Sequence, residues 1–141
     1  MKRIISCLLM LPVITLAACG QSSDEQLRSE IKAASSWAAT AQMVAEAWTK
    51  GEVPHAYARR TLETAQESLQ EASDALKEAE GIPAGRKSQA DEQIGNLRQT
   101  VRRMQTAAEG GDKESLAQSL DQLDGQKQAL EAFAKSAGAG R

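Results

Sequence analysis

From Leu27 onward, apolar residues recur at alternating intervals of four and three, the spacing that keeps one face of an α-helix apolar. Leu27, Ile31, Ala34, Ala38, Ala41, Ala45 and Trp48 follow it without a break. Trp37 and Val44 flank this stripe and widen it, as a helix packed against more than one neighbour requires. Ser23 and Gln26 are placed to form a capping box and Gly51 follows Lys50 as a stop, so a helix is predicted over about 24–50.

The pattern then repeats three times. Ala58, Leu62, Ala65, Leu69, Ala72, Leu76 and Ala79 predict a second helix over about 54–80, with Pro54 in a tolerated first-turn position and Gly81 and Pro83 ending it. Ala90, Ile94, Leu97, Val101, Met104 and Ala108 predict a third over about 86–109, with Ser88 and Asp91 as a capping pair, or a start nearer Pro83, and Gly110-Gly111 as terminator. Leu116, Leu120, Leu123, Leu130, Ala134 and Ala137 predict a fourth over about 113–137, capped by Asp112, with Phe133 beside the stripe. Lys127 interrupts this last stripe, and its long stem can snorkel to water. Gly95 and Gly125 fall inside helices, where they would allow close contact or a bend.

Short connections at Gly51, Gly81 and Gly110-Gly111 make consecutive helices antiparallel neighbours. The fold class is therefore all-α: an antiparallel up-down-up-down four-helix bundle, with left-handed, coiled-coil-like packing expected from the 3.5-residue period. The bundle occupies 24–137, followed by a fraying tail at 138–141. Alanine fills many core positions, which makes the bundle slim. Two hairpins completing their cores by dimerisation would satisfy the same pattern.

The N-terminal segment has a different organisation. Lys2 and Arg3 precede an apolar run from Ile4 to Leu16, too short to span a membrane and closed by the polar stretch Gly20 to Glu25. The run Leu16-Ala17-Ala18-Cys19 resembles the lipobox of bacterial lipoproteins. That resemblance implies that residues 1–18 are a cleaved signal peptide and that Cys19 is acylated, becoming a membrane anchor with 19–23 as a short tether. Gly20 to Ser23 spans at most ~14 Å. By the sorting rule of that family, the absence of aspartate after Cys19 implies the periplasmic leaflet of the outer membrane, or the cell membrane in a Gram-positive organism. Cys7 would leave with the signal peptide and Cys19 would be consumed by lipid, so no disulfide is expected.

Charge and candidate chemistry narrow the function classes. The net charge of −2 argues against nucleic-acid binding. His55 is the only histidine, so HExxH zinc sites are excluded; Glu52 and His55 have Glu-x-x-His spacing, but once only and around Pro54. Met43 and Met104 lie on or near apolar stripes and are expected in the core rather than on a haem. The carboxylate pairs Glu67 with Glu71 and Asp74 with Glu78 lie off the stripe, on a solvated face. No metal, cofactor or catalytic residue is assigned. Trp48, His55 and Tyr57 gather at the first turn, as an aromatic lid or a partner contact. Arg98, Arg102 and Arg103, preceded by Arg86 and Lys87, form a basic region suited to lipid headgroups or an acidic partner. The expectation is a lipid-anchored, non-catalytic interaction or scaffold protein that binds another envelope protein. A bundle enclosing a small apolar ligand or cofactor, and an inhibitor or immunity protein against an envelope-acting enzyme, are the alternatives.

Overall fold

A computed structural model describes residues 22–138, which form four helices: α1 (Ser23–Thr49), α2 (His55–Glu78), α3 (Ala84–Gly110) and α4 (Lys113–Gly138). They assemble as the four-helix bundle that the repeat predicts, and no strand occurs among the described residues. Residues 1–21, on which the expected signal peptide and lipid-bearing Cys19 fall, and residues 139–141 lie outside the described residues.

The apolar stripes become the core almost position for position. Leu62, Leu69 and Leu76 of α2, Ile94, Leu97, Val101 and Met104 of α3, and Leu116, Leu123 and Leu130 of α4 are all fully buried. On α1 the same inward face is mostly alanine: Ala34, Ala38, Ala41 and Ala45 are buried together with Leu27, Ile31 and Val44. Small side chains reduce the distance at which two helix axes can pack. In keeping with this, α1 touches not only its neighbours α2 and α4 but also α3 across the bundle, whereas the α2 and α4 backbones do not approach. The cross-section therefore has one short and one long diagonal.

Each helix end is set by local chemistry. The N-cap of α1 is Ser22, whose Oγ accepts from the Glu25 N–H while the Glu25 carboxylate accepts from the Ser22 N–H. This capping box lies one residue before the predicted Ser23 and Gln26 pair. At the other end, the Gly51 N–H donates to Trp48 O at 2.9 Å and the Glu52 N–H to Ala47 O at 2.8 Å, with Gly51 at φ 74°. These are the paired bonds of a Schellman ending, which needs a left-handed residue after the cap. Gly111, at φ 67°, ends α3 in the same way, donating to Ala108 O while the Asp112 N–H donates to Ala107 O. Asp112 then caps α4 by accepting from the Ser115 N–H at 3.0 Å and the Ser115 hydroxyl at 2.6 Å.

Three expectations need correction. The Ser88 and Asp91 capping pair does not form, because α3 takes its alternative start nearer Pro83, at Ala84: Ser88 lies inside the helix and the Asp91 carboxylate accepts from Ser73 Oγ on α2. Met43 is 69% exposed on the outer surface of α1, while Met104 is fully buried as expected. Gly95 and Gly125 admit no neighbour close to the position of a Cβ, so neither marks a close helix contact. Lys127 is half-buried, and its ammonium donates to Gln42 Oε1 at 2.8 Å, joining α4 to α1.

Candidate functional site

Alternating helix directions give the bundle two unlike ends. The start of α1, the α2–α3 turn and the end of α4 share one; the α1–α2 and α3–α4 turns share the other. At 1.5 Å per residue, the 27 residues of α1 separate them by about 40 Å. Ser22, the N-cap of α1, lies at the first end, and in the sequence Cys19 precedes it by only Gly20 and Gln21.

The three aromatic and imidazole residues singled out in the sequence all lie at the second end but do not form one patch. Trp48, partly buried against the core, and His55 have ring centroids 6.1 Å apart in a tilted arrangement. That is within the range of favourable ring contacts. His55 Nε2 donates to the Ala108 carbonyl at 3.2 Å, a second donor to an oxygen in the last turn of α3 that already accepts from the Gly111 N–H. Trp48 and His55 thus fasten α1, α2 and α3 together over the end of the core. Tyr57 stands apart, 58% exposed, in a shallow depression of α2 shared with Arg59, Arg60, Glu63 and Glu67.

The basic region is likewise divided. At the first end, Arg86 pairs with Asp24 at 3.5 Å, and the Lys87 ammonium donates to the Lys77 and Ala79 carbonyls, closing the end of α2. Arg98 lies over the α2–α3 interface, in a small depression with Lys77 and Asp91. Arg102 and Arg103 instead line a cleft of about 670 Å³ between α3 and α4, near the second end. Counted at 1.5 Å per residue from Ala84, Arg102 is about 27 Å up α3. Spacing on one helix placed these three arginines together; the grooves to either side of α3 separate them.

The α3–α4 cleft carries the most distinctive chemistry. Arg103 Nη1 donates to Gln122 Oε1 at 3.2 Å, a neutral acceptor. Gln118 and Ser119 of α4 line the facing wall, with Thr106 beside the arginines on α3. The cleft's single carboxylate, Asp112, is occupied by Ser115, whose hydroxyl and amide hydrogen bonds lower its pKa below the ordinary aspartate value. Among the described residues no group of three or more His, Cys, Asp and Glu side chains stands together to hold a metal ion. Glu67, Glu71, Asp74 and Glu78 are exposed, and Asp74 accepts from Gln70 and pairs with Lys77. No described helix is long and apolar enough to cross a membrane.

Periodicity marks the core and says nothing of grooves, so the α3–α4 cleft was not legible as a unit; of its lining, Arg102 and Arg103 stood out as basic residues and Gly110 and Asp112 only as helix-end signals. No protein-family model matches the chain, and comparison with curated proteins and with solved structures gives no match.

Proposed function

We propose that the protein is a lipid-anchored, non-catalytic interaction or scaffold bundle of the bacterial envelope, held by acyl chains on Cys19 and facing the periplasm from the outer membrane. The observation that carries this reading is the start of α1 directly behind the lipobox-like run: the capping box at Ser22 and Glu25 leaves only Gly20 and Gln21 between Cys19 and rigid structure. So short a link holds the first end of the bundle at the bilayer and turns the Trp48 and His55 end, with the α3–α4 cleft, toward the envelope interior. Each buried methylene of the lipid contributes ~0.8 kcal/mol, so two or more chains make the attachment durable.

The core positions are filled almost entirely by aliphatic side chains and alanine, with Met104 and Phe133, and the clefts lie at the surface between helices. These features favour a protein that works by contact. Cys19→Ala is expected to abolish incorporation of an alkyne-labelled fatty acid in cells and to shift the protein out of the membrane fraction. Labelling and fractionation that match the wild type would overturn the anchor.

A further inference from the structure

The described residues form three ion pairs, Lys77 with Asp74, Lys77 with Asp91 and Arg86 with Asp24, and neither Arg102 nor Arg103 takes part. A guanidinium offers five N–H donors in a planar fork that matches a carboxylate. Arg103 gives one of them to the Gln122 amide oxygen. A second arginine pair provides a comparison within the same molecule. Arg59 and Arg60 line their depression with Glu63 and Glu67, one helical turn or two away, and are balanced there by their own helix. The α3–α4 cleft has no such balance at its arginine end, because Asp112 sits at the opposite end, by the turn, with both oxygens accepting from Ser115.

We propose that the α3–α4 cleft is a docking site for a carboxylate-bearing, extended segment of a protein partner, with Arg102 and Arg103 receiving the carboxylate. With its oxygen engaged by Arg103, Gln122 presents its amide N–H groups, which together with Gln118 and Ser119 supply hydrogen bonds suited to a peptide backbone. Charge complementarity selects the occupant. Two arginines on a chain of net charge −2 are too few for a nucleic-acid backbone. Their position, about 27 Å along α3 from the end that adjoins Ser22, separates them from the headgroups of the membrane that would hold Cys19. The Asp112 end repels a second negative charge and so sets the direction in which an acidic segment lies.

This deepens the reading of the bundle as an interaction protein but does not need the lipid, so failure of the anchor and failure of the cleft are separately visible. The test is a titration of the isotopically labelled protein with a six-residue peptide of serines ending in two glutamates, followed by amide chemical shifts. Saturable shifts confined to residues 102–122 are expected. They should weaken about tenfold in the Arg102→Gln/Arg103→Gln double variant, as for loss of a charge-assisted pair, and persist in Arg59→Gln/Arg60→Gln. Gln122→Glu places a carboxylate beside Arg103 and should block the peptide while leaving the helical circular dichroism unchanged. The proposal is overturned by shifts that do not saturate, by equal losses in both double variants, by indifference to Gln122→Glu, or by inorganic phosphate reproducing the same shifts at the same concentration. Preferential binding of anionic phospholipid vesicles over the peptide at these residues also overturns it.

Discussion

Glu30, half-buried on α1, is the residue at which burial works against charge, and desolvation raises its carboxyl above the ordinary glutamate value. The folded state therefore holds this proton more tightly than the unfolded chain does. It follows that Glu30 opposes folding at neutral pH and ceases to oppose it as the pH falls below the ordinary glutamate value. Glu30→Gln should raise the melting temperature at pH 7, and the gain should vanish toward about pH 4, where the unfolded chain also takes up the proton. Thermal melts followed by circular dichroism at the two pH values measure this. Asp112 behaves oppositely: its lowered pKa contributes stability that is present above the ordinary aspartate value and lost as the pH falls through the depressed one. Thr100 is a second place where the core opposes itself, since it is 1% exposed and its hydroxyl has no partner. Thr100→Val keeps the shape and removes the unpaired hydroxyl, and urea unfolding should show a gain of about 1 kcal/mol.

At the scale of the element, the glycines divide by conformation. Gly51 and Gly111 occupy left-handed backbone at helix ends, where a side chain is strained. Gly95 and Gly125 lie inside helices with open space where a Cβ would stand. Gly95→Ala and Gly125→Ala should each stabilise the protein by about 0.5 to 1 kcal/mol, and Gly51→Ala should destabilise it by a similar amount, all read from denaturant midpoints. Helix number, inward faces and breakpoints were legible in the letters, because the 3.5-residue apolar repeat marks one face of each helix and the glycines divide it; whether that face is covered within one chain or by a second copy is not recorded in the repeat. Helix starts were less so. Ser22-Ser23 offers two cap registers with Glu25 and Gln26 each three residues on, and only the folded backbone chooses Ser22. Asp91 resembled a cap because its partner, Ser73, lies eighteen positions away on another helix. The candidate site was least legible. Arg98 and Arg102 are one turn apart on α3, yet they line different depressions, a distinction made by the neighbouring helices.

For the whole molecule, orientation is the property that matters. If Cys19 is acylated, Glu80, beside Gly81, stands over the bilayer; a Cβ built on Gly81 would lie 3.4 Å from the Ser23 Cβ. Lys50, at the other end of α1, is about 40 Å away. Fluorophores attached through Glu80→Cys and Lys50→Cys should respond differently to spin-labelled headgroups, with strong quenching at residue 80 and little at residue 50. Equal quenching would show a bundle lying flat, which would bring its sides rather than its far end to the membrane. The unequal diagonals of the bundle bear on the same question of assembly. α1 and α3 each contact every other helix while α2 and α4 do not meet, and the α1–α4 seam is the one interface between neighbouring helices that no turn closes.

An even number of antiparallel helices returns the chain to its starting end, so Ser22 and Gly138 lie on the same side of the bundle. If Cys19 carries the proposed lipid, a reporter fused after α4 would be delivered beside the membrane-facing end, where it would compete with the bilayer for room. The same reporter inserted at the α1–α2 turn, after Gly51, would ride at the opposite end of the bundle, about 40 Å from Ser22. Joining 138 back to 22 through a short linker, and opening the chain at that turn, would remove the segment that carries Cys19 without breaking any helix, so that the proposed anchoring and the proposed recognition could be assayed apart.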